Sequence, residues 1–86
     1  KEANELAQLS GGAEVLMRRA LELMNSGDLR LACHLADFAG WSAPDDKAIH
    51  ADRAIVYNKR RDVEMSLMSK GIFKAAARES EEIAKP

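Results

Sequence analysis

LMRRALELMNSGDLRLACHLADFAGWSAP, Leu16 to Pro44, is the stretch whose reading decides the fold. Apolar residues at Leu16, Ala20 and Leu23, with Met17, Leu21 and Met24 beside them, recur at the spacing of a helix. Asn25, Ser26 and Gly27 then form a stop, and Asp28 supplies the carboxylate that caps a second helix. That helix carries Leu29, Ala32, Ala36 and Ala39 on one side and Leu31, Leu35 and Phe38 on another, and Pro44 disfavours helix at Ala43. Alanines at positions 20, 32, 36 and 39 let the two helix axes approach toward the near end of the usual range of about 8 to 10 Å. The pattern predicts a closely packed antiparallel helical hairpin.

Working outward, Glu2 to Leu9 has helical composition and is ended by Ser10-Gly11-Gly12, so residues 1–12 read as a linker helix and a Gly-Gly turn. Beyond Pro44, Asp45 and Asp46 offer N-cap acceptors for a third helix from Lys47 to about Arg61, expected to bury Ile49, Ala54, Ile55 and Tyr57 in part. Ala54 and Tyr57 repeat the places of Ala20 and Leu23, and the register is lost after Arg61. Asp62 to Lys70 reads as more helix with Val63, Leu67 and Met68 on a face. Gly71 is expected to interrupt it, and a last helix starts at Ile72-Phe73. No stretch alternates with a period of two, so no strand is predicted. The fold class is all-α, an array of four to five antiparallel helices.

Each hairpin helix has two apolar sides. One closes the hairpin, and the other must meet a third element or another chain. With 86 residues the chain is a single domain with a marginal core of its own, yet 47% of its residues are hydrophobic and only 5% aromatic. That surplus of apolar helix surface needs a partner. The formal charge is -1, from 13 basic and 14 acidic side chains, which gives no electrostatic footprint for nucleic acid. Arg53 and Lys59-Arg60-Arg61 are followed by Asp62 and Glu64, and read as a solvated helix face. No run of about 18 apolar residues spans a membrane, and no leader pattern is seen. The chain opens on Lys1, so a piece of a longer polypeptide or a processed product is expected.

The chemistry-bearing residues are few. His34 and His50 lie on different helices without a carboxylate or cysteine at ligand spacing, and zinc needs about four ligands. The lone Cys33, between Ala32 and Ala36, reads as inert core and leaves the redox compartment unreadable. Gly11-Gly12 before a helix lacks the Lys-Ser/Thr signature of a phosphate loop. Met17, Met24, Met65 and Met68 read as core before they read as an adaptable groove. Trp41, at a helix end, either closes the hairpin core or anchors a partner. No catalytic, cofactor-binding or metal-binding residue is assigned.

The hairpin, Leu16 to Pro44, resembles a single tetratricopeptide repeat. More specifically, Arg19-Ala20-Leu21-Glu22-Leu23 through Gly27-Asp28-Leu29-Arg30-Leu31-Ala32, then Leu35-Ala36-Asp37, Ala43-Pro44-Asp45-Asp46-Lys47 and Glu64 to Phe73, resemble the dimerisation domain of alkyl sulfatases in the metallo-β-lactamase superfamily. That resemblance implies a zinc-dependent sulfate-ester hydrolase domain upstream, with a helical region joining two subunits. The zinc motif, His-x-His-x-Asp-His, has no counterpart here, so any zinc belongs to the upstream domain.

These readings combine into a non-catalytic dimerisation or docking domain over residues 13–86. Its expected partners are a second copy and the upstream catalytic domain, and Leu31, Leu35, Phe38 and Trp41 are its expected interface anchors. Symmetric self-pairing is the commonest way to cover such a face. The alternative is a peptide-binding adaptor of the tetratricopeptide type, but that architecture stacks about three or more repeats, and the second repeat degenerates after Tyr57.

Overall fold

The computed structural model describes residues 12–64 and 67–86. It is all-α over them, with α1 at Ala13–Asn25, α2 at Leu29–Ser42, α3 at Lys47–Val63 and α4 at Leu67–Ala84. The expected helix from Glu2 to Leu9 lies outside the described residues, as do Met65 and Ser66.

Local signals set the boundaries. Gly27 ends the first turn region at φ 93°, in the left-handed region that favours glycine. The Asp28 carboxylate accepts from Leu31 N at 3.3 Å and starts α2. At the next corner Ala43 leaves helical geometry, and Asp46, rather than Asp45, caps α3 by accepting from Ile49 N at 3.1 Å. These connections are short, which makes the successive helices antiparallel neighbours.

The core sits where α1, α2 and α3 meet. Ala20, Ala32, Ala36 and Ala39 are fully buried, as crossing positions must be for backbones to approach. Leu16, Met17 and Leu23 of α1, with Ile49, Val56 and Tyr57 of α3, fill the space around them. Consecutive helices pack on one another, α1 also touches α3, and α4 lies along α3. From α4, Ala77 enters the core and Phe73 and Ala76 pack against it.

Several expectations are corrected. Gly71 does not interrupt a helix, because α4 runs unbroken through it. An interior glycine costs only about 1 kcal/mol relative to alanine, and the docked turns around Phe73 and Ala77 outweigh that. The break falls earlier instead, where Glu64 turns extended with ψ 136° after α3 has continued to Val63. Ile55 is exposed, and the neighbouring Val56 takes the buried place. The side of α3 that carries Ile55 looks onto an open groove with Ala51, Asn58, Glu81 and Ala84. Of the methionines, Met17 is core and Met24 packs against it, but Met68 is 79% exposed. Arg53, grouped above with a solvated basic face, is buried.

Candidate functional site

Two features stand out once the core is removed from view: an uncharged outer surface on α2, and a polar cluster behind it. On α2 the only charged side chains are Arg30 and Asp37. Arg30 sits at the N-terminal end, and Asp37 turns inward to α3. The outward positions are therefore Leu31, His34, Phe38 and Trp41. Leu31 is 44% and Trp41 60% exposed, while Leu35 and Phe38 are half-buried with one side against the core. Phe38 meets Trp41 edge-on, with ring centroids 5.8 Å apart, which holds the indole in place on the surface. Of the expected anchors, then, Leu31 and Trp41 are exposed, and Leu35 and Phe38 are partly buried against the core.

The polar cluster ties α2, α3 and α4 together. Arg53 donates to Asp37 Oδ1 through Nε at 3.1 Å, and its Nη2 lies 3.1 Å from the same oxygen. Its Nη1 donates to Ser80 Oγ at 2.7 Å and to the Ala76 carbonyl at 3.3 Å. Tyr57 adds its phenol to the Asp37 carboxylate, at 2.7 Å from Oδ1 and 2.9 Å from Oδ2. Burial first, and then the Asp37 carboxylate, hold that phenol protonated well above its ordinary range. Ser80, accepting from Arg53, also lies 3.0 Å from His50 Nδ1 and shares a hydrogen bond with it. The other ring nitrogen, Nε2, is buried without a partner. Gly40 makes room for all this, since a Cβ there would stand 3.1 Å from Arg53 Cδ and 3.4 Å from His50 Cε1.

This cluster is structural chemistry. The guanidinium of Arg53 and the phenol of Tyr57 are already spent on protein acceptors, and among the described residues neither the groove between α1 and α3 nor the one between α3 and α4 is lined by the cluster. Cys33 is buried, and burial pushes its thiol up, away from the thiolate a nucleophile needs. His34 is on the surface of α2 and His50 in the cluster, so the structure does not bring them together. Among the described residues no group of three or more His, Cys, Asp or Glu is placed to hold a metal ion. A groove of about 240 Å³ between α1 and α3 is floored by Met17, Leu21 and Ile49 and rimmed by Glu14, Arg18 and Asp52. It is smaller than the roughly 300 to 1,000 Å³ of most ligand sites. Among the described residues no helix is long and apolar enough to cross a membrane.

The sequence as a whole matches the profile of the alkyl sulfatase dimerisation family over residues 1–82. The chain belongs to that family. Comparison with curated proteins and with solved structures returned no match. As a member of the alkyl sulfatase dimerisation family, the chain is a non-catalytic assembly domain, and its helical hairpin is the one anticipated from Leu16 to Pro44. Sequence reasoning missed the Asp37–Arg53–Ser80 cluster. A signal was present, because Arg53 lies on the same stripe of α3 as Ile49, Val56 and Tyr57.

Proposed function

We propose that this domain joins two copies of its parent polypeptide, with the outer face of α2 as the seam. The observation that carries the reading is the outer surface of α2, uncharged beyond Arg30 and capped by a Trp41 that is 60% exposed, in a domain of a dimerisation family. A large aromatic side chain in an apolar setting is the usual energetic centre of a protein interface. The parent, on this reading, is a hydrolase of sulfate esters with a metallo-β-lactamase fold, whose zinc and catalytic residues belong to a domain upstream. The family description and the resemblance of the hairpin and its connections support that part. The domain's contribution to the reaction is then positional: it holds two catalytic domains in one assembly.

The test uses Leu31→Glu and Trp41→Glu, because these two side chains are exposed and their loss leaves the core intact. Leu35→Asp would confound association with folding. Light scattering across a dilution series, with circular dichroism on the same samples, should give a dimer for the parent chain and helical monomers for both variants. A dimer unchanged by either substitution would remove this face from the interface.

A further inference from the structure

The outward positions of α2, Leu31, His34, Phe38 and Trp41, are spaced three, four and three residues apart. Such 3-4-3 spacing is the seam pattern of two helices packed side by side. It is also symmetric about its midpoint, so the stripe reads the same when the helix is reversed. Laid antiparallel on a second copy, it matches the aliphatic end of one helix to the aromatic end of the other. Leu31 then faces Trp41 of the second copy, and His34 faces Phe38 of the second copy. Laid parallel, it would stack Trp41 on Trp41 at one end and leave Leu31 on Leu31 at the other.

The charges agree with the antiparallel choice. Arg30 is exposed at the start of α2, and Asp45, exposed in the turn after α2, has no capping role because Asp46 takes it. Reversal of one helix brings Arg30 of each copy to the end where Asp45 of the other copy lies, giving an ion pair at both ends of the seam. A parallel pair would instead set Arg30 beside Arg30 and Asp45 beside Asp45 of the second copy, with the capping Asp28 exposed at the Arg30 end in either arrangement. Met68 and Ile72, exposed on α4, have no such complement, because Glu79 follows them on the same stripe.

Resting on the self-association through α2 proposed above, we infer that the dimer is a two-fold antiparallel pairing of α2 with α2, sealed at each end by Arg30 against Asp45 of the second copy. Exposed ion pairs are individually weak, but every substitution acts twice in a symmetric dimer. Arg30→Glu and Asp45→Arg should each weaken dimerisation about fivefold or more at low salt. The double variant Arg30→Glu/Asp45→Arg should return the dissociation constant to within about twofold of the parent chain. Both sites are exposed, and circular dichroism verifies that the fold is retained. Sedimentation equilibrium on the four 86-residue chains gives the constants.

Absence of rescue, or single reversals without effect, would overturn the antiparallel seam. In either case the Trp41→Glu chain separates the two readings. Loss of the dimer in that variant keeps α2 as the interface while its antiparallel arrangement falls, and survival of the dimer takes both away. A second measurement is independent of affinity. Chains carrying Arg30→Cys should form disulfide-linked dimers under mild oxidation when mixed with chains carrying Asp45→Cys, and neither should do so alone. Self-linking of the Arg30→Cys chain would refute the arrangement.

Discussion

Replacing Arg53 with Met keeps an unbranched chain out to the position of Nε, its packing against Gly40 and the helix propensity of α3, but removes the guanidinium. What is lost can be read from the distances. Asp37 forfeits two contacts at 3.1 Å and keeps only the Tyr57 phenol, while Ser80 and the Ala76 carbonyl lose their donors at 2.7 and 3.3 Å. Removing one partner of a buried ion pair costs about 3 to 5 kcal/mol, most of it from stranding the other charge. The Asp37 side chain retains 20% exposure, so water enters and the cost falls at the low end, at about 3 kcal/mol. A domain of this length has a total stability of roughly 4 to 13 kcal/mol. The loss should lower the melting temperature by about 12 to 24 °C. Urea unfolding followed by circular dichroism at fixed protein concentration measures it, since association adds to apparent stability. Asp37→Asn in the Arg53→Met background should recover part of the loss by removing the stranded charge. A single-variant loss below about 1 kcal/mol, typical of a surface pair, would refute the claim that this cluster holds α4 to the hairpin.

Two glycines should respond oppositely to alanine. Gly40→Ala brings a methyl to 3.1 Å from an Arg53 side chain that is fixed at both ends, and should destabilise by about 1 kcal/mol or more despite better helix propensity. Gly71→Ala meets nothing within 4 Å and should stabilise α4 by up to about 1 kcal/mol in the same urea assay. Tyr57→Phe removes a hydrogen bond to a carboxylate and should cost about 1.5 to 3 kcal/mol at neutral pH. Because folding raises the phenol's pKa, this contribution is complete below the ordinary phenol value of 10.0 and declines as pH climbs above it. The parent and Tyr57→Phe stabilities should therefore converge in alkali, and a constant gap across that range would contradict the assigned contact.

The parts of the fold legible in the sequence were those fixed by short-range chemistry. Gly27, Asp28 and Asp46 act within a turn of themselves, and the small residues at 20, 32, 36 and 39 announce a close crossing by type alone. Gly71 is misleading because helix propensity alone omits the packing of Phe73 and Ala77 that overrides it. Arg53 was hidden for a different reason. Its partners are 16 residues upstream at Asp37 and 27 downstream at Ser80, and only folding puts a carboxylate and a hydroxyl within reach of the same guanidinium. The candidate seam was legible as a surplus of apolar surface. Which of its residues point outward became clear only when Asp37 was seen to face α3, which leaves Leu31, His34, Phe38 and Trp41 on the far side.

The order of packing has a kinetic consequence. Each helix lies against its predecessor in the chain, and the one skip, α1 to α3, spans a single intervening hairpin helix. The protomer thus closes only short loops as it folds, and helical arrays of this kind fold in microseconds to milliseconds. On the proposed α2 seam, encounter of two copies is bimolecular and slows with dilution. Under that proposal the wait for a second copy at low expression, rather than the acquisition of structure, sets how long Trp41 stays uncovered.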